Sequence, residues 1–209
     1  RRVCDLCAEV IYLSVGSAYT GNVACARAWQ AAHDRQHRFT VIDSETASGS
    51  LGLLVYAAAH KIRAHKALAD VREFIEAARH RVVELVFLDR LDFLARGGRL
   101  SRTRAFFGDL IGVKPVISPL ADGARKVGVA HHRRGQVDMA RQTLRSRLTA
   151  RSEGWLWLEY TDNRDWLEDE LLPEFRQSYP SMTVALQPMS LTSGAHMGPG
   201  TWAIAFLDV

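Results

Sequence analysis

The sequence lacks any apolar run approaching the roughly 18 residues needed to cross a bilayer as a helix, which argues against a membrane-spanning chain. It also reads as lacking a secretory signal, because the charged start Arg1-Arg2 is followed by Asp5 and Glu9 and not by an apolar stretch ending in small residues. Cysteine is scarce. The three residues Cys4, Cys7 and Cys25 are too few, and odd in number, for a disulfide framework, and they fit a reducing, cytoplasmic setting. Cys4-x-x-Cys7 has no second pair to complete a metal centre, so no metal is expected. Excess charge is small as well: 27 basic against 23 acidic side chains leave +4, spread along the chain. The densest basic stretches, Arg96 to Arg104 and His131-His132-Arg133-Arg134, carry no interleaved aromatic residues, so nucleic acid is not the expected partner.

What is present is the make-up of an ordinary globular protein: 47% hydrophobic, 24% charged and 9% aromatic residues in a chain of 209. That excludes disorder and low-complexity scaffolds. At this length roughly 70% of the extended surface is buried on folding, enough for one large domain or two small lobes. Between residues 9 and 90, short apolar runs (Val10 to Leu13, Phe39 to Ile42, Val82 to Leu88) alternate with helical periodicity over 22–34 and 66–79. Such alternation predicts βαβ units and a covered parallel sheet.

From about residue 113 the texture changes. Val113 to Ile117 and Lys126 to Ala130 flank Asp122-Gly123, a strong hairpin signal. A helix is expected over 135–149. Strands follow at Trp155 to Tyr160, Met182 to Leu186 and Trp202 to Leu207, with a helix after Thr161-Asp162 whose inner face holds Leu167, Leu171 and Phe175. Residues 89–112 read as helical connectors broken at Gly97-Gly98. The expected architecture is α/β in two lobes, a parallel-sheet αβα lobe over 1–92 and an α+β lobe over 93–209.

Three places offer chemistry. The turn Ser14 to Asn22 follows the first strand and leads into a helix, so Ser17, Thr20 and the free amides of a helix start could receive an anion; the plainer alternative is a helix cap built of small turn residues. It is no P-loop, since no Gly-Lys-Ser/Thr closes it. Asp43-Ser44 ends the second strand on the same edge, where Asp43 is either a base or, more plainly, an anchor for its loop. Gly194-Ala195-His196-Met197-Gly198-Pro199-Gly200 surrounds one histidine with glycine and proline, as a tight loop presenting an imidazole or as a simple turn. A serine hydrolase built from these residues is disfavoured by the lack of a Gly-x-Ser-x-Gly elbow.

These pieces, with Phe93-Leu94-Ala95-Arg96-Gly97-Gly98-Arg99-Leu100-Ser101 and Ile111-Gly112-Val113-Lys114-Pro115-Val116-Ile117, keep an order and spacing that resembles the DegV family of bacterial fatty-acid-binding proteins over about residues 10–208. The resemblance implies a long-chain fatty acid held between two lobes, with its carboxylate hydrogen-bonded at the strand ends. It also implies a separate ATP-dependent fatty acid kinase as partner, which phosphorylates that carboxylate, and at most transient membrane contact. The chain itself would be the binding subunit, without cofactor. By position, Thr20 stands at the family's head-group serine, Gly16 and Ser17 at its two leading serines, Gly21 beside them, and His196 at the histidine near the carboxylate. Asp43, Ser44, His131 and Arg133 are further candidates for contacts to the head group or the partner.

The departures are Gly16 and Asn22, in place of a serine and a threonine, and a displaced basic residue after the hairpin, for which His131, His132 and Arg133 are candidates. Family members begin with a further segment whose threonine binds the carboxylate, so the resemblance also implies a first lobe incomplete at its N-terminus. Two other functions remain open. One is a dihydroxyacetone-kinase-like subunit using His196 on a small carbonyl compound, to be told apart by a small polar cavity in place of an apolar tunnel. The other is a regulatory module binding nucleic acid through Arg96, Arg99, Arg102 and Arg104.

Overall fold

A computed structural model describes residues 7–96 and 112–209. Two sheets are present. In the smaller, β1 (Val10–Ser14) and β2 (Phe39–Asp43) run parallel in register from Val10 opposite Phe39 to Ser14 opposite Asp43, joined by α1 (Asn22–His33). In the larger, β3 (Val83–Phe87), β4 (Lys114–Leu120), β5 (Gly123–Ala130), β6 (Gly154–Tyr160), β7 (Met182–Pro188) and β8 (Trp202–Asp208) are ordered β5-β4-β3-β8-β6-β7, and only the β6–β7 pair is parallel. The run Val82 to Leu88, expected as a third parallel strand beside β2, therefore belongs to the larger sheet, antiparallel to β8 and β4. Residues 84–87 are buried on both faces, which marks an inner strand but carries no information about which sheet owns it.

The helix that joins the two sheets is α2 (Ser48–Arg63). Leu53, Leu54 and Ala57 pack on Trp155, Trp157, Ala205 and Leu207 of the larger sheet, while Ala58 joins Ile42 of β2 and Val71 and Ile75 of α3 (Leu68–Ala78). Because both sides are covered, α2 has no clear polar stripe, and periodicity does not single it out. Gly52 allows the close approach, since a methyl there would stand 2.8 Å from the Trp157 ring.

On its other face the larger sheet packs Phe87, Leu156, Leu158, Trp202 and Ile204 against α5 (Arg133–Arg147) and against a helix running from α6 (Arg164–Trp166) through a π-helical segment (Leu167–Leu171) into α7 (Leu172–Ser178). The short helices α4 (Asp92–Arg96) and α8 (Leu191–Met197) lie on the α2 side, where Leu94 and Met197 meet Val86, Leu88, Ile117 and Ala203. Gly97-Gly98 and the basic residues Arg99, Arg102 and Arg104 lie outside the described residues, as does Cys4. Among the described residues no helix is long and apolar enough to cross a membrane.

Candidate ligand-binding site

Parallel pairing brings the carboxyl ends of β1 and β2 side by side, and two loops leave from there. The first, Ser14 to Gly21, is locked onto the second: the Gly16 amide donates to the Thr46 carbonyl at 2.7 Å, and a methyl on Gly16 would stand 2.8 Å from the Thr46 nitrogen. The amides of Tyr19 and Thr20 both turn back to the Gly16 carbonyl. Asp43 gathers both loops, its Oδ1 accepting from the amides of Ser17 and Glu45, each at 3.1 Å. Partial burial pushes the Asp43 carboxyl up, but hydrogen bonds from the Ser17 hydroxyl and the two amides, with the Arg27 charge, outweigh it and hold the group below its ordinary range. Ser44 is buried and closed on its own loop, donating to the Thr46 carbonyl and accepting from the Thr46 amide.

What stays open at this edge is the half-buried Thr20 and the exposed start of α1; Ser17 is exposed beside them, but its hydroxyl and amide are already given to Asp43. Thr20 Oγ1 accepts from the Asn22 amide at 3.3 Å, which leaves its hydroxyl proton to give. Gly21 is the helix cap and supplies no side chain. One hydroxyl proton, that of Thr20, thus stands beside the start of α1, where the helix dipole favours a carboxylate or a phosphate. Two residues outside the expected set tie this edge to the larger sheet: Tyr19 donates its phenol to the Leu120 carbonyl at 2.8 Å, and Thr46 donates to the Pro119 carbonyl at 3.4 Å. Burial pushes the Tyr19 phenol well up, so it remains a donor.

His196 belongs to a second group. It lies half-buried in the last turn of α8, which Ser190 caps by accepting from the Ser193 amide. The expected loop over 194–200 is thus helical as far as Met197, because that cap starts a helix and Gly198, at φ 81°, ends it. Beyond it the Gly200 peptide is held from both sides. Its amide donates to Asp162 Oδ1 at 2.6 Å, and its carbonyl accepts from Arg133 and Asn163 at 3.3 and 3.2 Å. The Arg133 guanidinium also lies over the Trp166 ring at 4.5 Å. Neighbouring His131 is exposed, and His132 is spent on capping α5, accepting from the Gly135 amide.

The Gly200 amide holds the Asp162 carboxyl below its ordinary value of 3.8. Stability that depends on Asp43 and Asp162 in ionised form is therefore present above that value and lost as pH falls through the lower folded one. Asp162→Asn is expected to make the loss of urea midpoint between about pH 4 and pH 2 shallower; an equally steep loss would show that the carboxylate charge is immaterial.

No described hydrogen bond joins His196 to Ser17 or Thr20. Both groups border one buried apolar cluster of the sheet, formed by Val86, Leu88, Ile117 and Ala203 with Met189 and covered by Leu94 of α4 and Met197 of α8. Thr46 reaches it at Pro119, whose strand partner Ala124 packs against the cluster, and α8 reaches it through Met197. Asp43 is committed to its loops and forms no described contact with His196. Among the described residues no group of three potential metal ligands is found, and Cys7 and Cys25 are exposed and free.

A sequence model of the DegV family, described as a family of uncharacterised proteins, matches residues 4–209. This chain belongs to the DegV family. A DegV domain-containing protein of Clostridium perfringens is 28% identical over 205 residues, covering 95% of this chain and 69% of the relative. A DegV family protein from Thermus thermophilus, solved in a study of its fatty acid binding, superimposes with a TM-score of 0.85 at 22% identity, over all of this chain and 74% of that one. The Fatty Acid Kinase (Fak) B3 protein of Streptococcus pneumoniae, solved loaded with linoleic acid, gives the same TM-score at 19% identity, again over 100% and 74%. The α/β fold of those DegV structures is thus the fold of this one.

Proposed function

We propose that this DegV protein is a cytoplasmic, non-catalytic carrier that holds one long-chain fatty acid between its two sheets and presents the carboxylate to a separate ATP-dependent kinase. The observation that carries this reading is the pairing of an anion-receiving edge (Thr20, with Ser17 beside it, and the exposed start of α1) with an apolar cluster beginning at the Thr46–Pro119 hydrogen bond. An amphiphile with one anionic end and a long tail has the chemistry for both. About a dozen buried methylenes, at about 0.8 kcal/mol each, supply on the order of 10 kcal/mol before ordering costs. The hydroxyls fix which end is presented, because burying a carboxylate without donors costs several kcal/mol. His196 is assigned to the carboxylate end with Thr20 and Ser17, Arg133 holding the loop that follows it and His131 standing ready for the partner. DegV proteins solved with fatty acid share this fold, which supports the carrier reading.

The test is mass spectrometry of an organic extract of the natively purified protein, followed by acyl phosphate formation with a fatty acid kinase. One equivalent of a long-chain fatty acid is expected. Thr20→Val and His196→Ala are each expected to lower acyl phosphate formation by about tenfold, the size of one lost hydrogen bond to a charged group, with little change in melting temperature. Full phosphorylation in both variants would overturn the site assignment.

A further inference from the structure

The carrier reading leaves unused a pair of acids in the interior. Glu84 on β3 and Glu159 on β6 are only 1% and 2% exposed. They stand on one face of the larger sheet on either side of β8, Glu84 opposite Ala205 and Glu159 opposite Ala203. The two alanines leave a trough across which the glutamate side chains extend. The first turn of α2 closes it: the Ser50 amide donates to Glu84 Oε2 at 2.7 Å, and a methyl on Gly49 would stand 1.6 Å from Glu159 Oε1. Oε1 of each glutamate has no hydrogen-bond partner among the described residues, and neither acid forms a described ion pair.

The groups around the pair are nearly all uncharged. α2 contributes Ser48, Gly49 and Ser50, β7 contributes Gln187, β8 contributes alanines, and the first turn contributes the Tyr19 phenol, kept protonated by burial. Burial pushes Glu84 up to about 7 against the pull of the Ser50 and Gly49 amides. Burial, then the Glu84 charge, push Glu159 well up against the pull of Gln187. The start of α2 serves Glu84, through the Ser50 and Gly49 amides, whereas the donor to Glu159 is the Gln187 side chain.

We propose that Glu84 and Glu159 share a proton at neutral pH, and that its loss in alkali releases the first turn of α2 together with the Asp43 to Ala47 loop leading into it. With the proton in place, one acid is the anion held by α2 and the other is neutral beside it. Without it, two unscreened anions face each other under the same helix start. Both acids bind protons more tightly in the folded chain than in the unfolded one, so their contribution to stability is complete below the ordinary glutamate value and declines as pH rises through the folded values. Ser44 and Thr46 ride on the loop, so alkaline pH also loosens the head-group edge. That last consequence rests on the carrier reading, whereas the test reads the protein's own amides and stands apart from it.

The test is hydrogen exchange, followed by mass spectrometry, of peptides covering 44–50 from pH 6 to 9, corrected for intrinsic chemical exchange. In the unaltered protein the opening of this segment is expected to rise about tenfold or more, as follows when the closed state binds the shared proton at least tenfold more tightly than the open one, while peptides of α5 stay constant. In Glu159→Gln the rise is expected to vanish. No rise in the unaltered protein, or the same rise in Glu159→Gln, would overturn the proposal. If Glu159→Gln does not fold, infrared spectroscopy decides: a protonated-carboxyl carbonyl band at neutral pH that disappears in alkali is expected, and its absence overturns the shared proton.

Discussion

Trp202→Ala is expected to destabilise the protein by about 3–5 kcal/mol, the range for removing a fully buried large aromatic side chain. Trp202 is 0% exposed. Its ring stacks on Phe87 at 4.1 Å and meets Trp166 edge-on at 5.4 Å, so truncation removes two aromatic contacts along with the buried area. The loss also reaches a polar group. Trp202 Nε1 donates to Gln136 Oε1 at 3.2 Å, and buried Gln136 in turn donates to the Leu88 carbonyl; without the indole, one amide oxygen is left inside without its donor. At this chain length the melting temperature should fall by about 6–20 °C, and calorimetry would measure it. A fall under about 3 °C would mean that the β8 side of the core collapses around the gap, contrary to the packing described.

Gly16→Ala is expected to act on both stability and ligand. The added methyl meets backbone and nothing flexible: the Thr46 nitrogen at 2.8 Å and the Glu45 carbonyl carbon at 2.9 Å. Relief requires the Asp43–Ala47 loop to move away from the first turn, which breaks the Gly16 to Thr46 hydrogen bond and disturbs the Asp43 anchor. Overpacking of this kind costs about 1–3 kcal/mol. Because the same movement separates Ser17 and Thr20 from the apolar cluster, the amount of co-purified fatty acid should fall at least in proportion. Gly21→Ala is the matched control for stability, since its methyl meets nothing within 4 Å. Urea unfolding of both variants and lipid extraction of Gly16→Ala check this, and equal stability of the two variants would remove the loop-locking role given to Gly16.

Strand periodicity and turn chemistry made several elements legible in the sequence. Asp122-Gly123 marked the β4–β5 hairpin, and Gly123 does take the positive φ of 124° that such turns require. The inner face Leu167, Leu171 and Phe175 is buried as its spacing implied, although the backbone there is partly π-helical. Legibility failed where burial is two-sided. α2 has no one-sided stripe because both sheets bury it, and the pattern of β3 does not say which sheet holds it because an inner strand reads alike in either. At the candidate site, the strand-end turn and Asp43 were visible as local patterns. The ties of Tyr19 to Leu120 and Thr46 to Pro119 were not, since they join residues 101 and 73 positions apart. Glu84 does leave a local signal, a lone carboxylate within the otherwise apolar strand Val83-Glu84-Leu85-Val86-Phe87.

The place of β8 in the larger sheet sets a timetable for synthesis. β8 is the latest described element in chain order, yet it sits between β3 and β6, pairing Val83 with Phe206 and Trp155 with Leu207. Until it leaves the ribosome, β3 and β6 each lack a neighbour, and the apolar faces destined for Trp202, Ile204 and Phe206 have nothing to close on. At about 5–20 residues per second, the remaining chain takes several seconds to follow β3, during which its exposed edge is open to wrong partners. Ribosomes stalled before residue 202 should therefore hold a chain that proteases cut freely, with protection arriving abruptly once β8 is free.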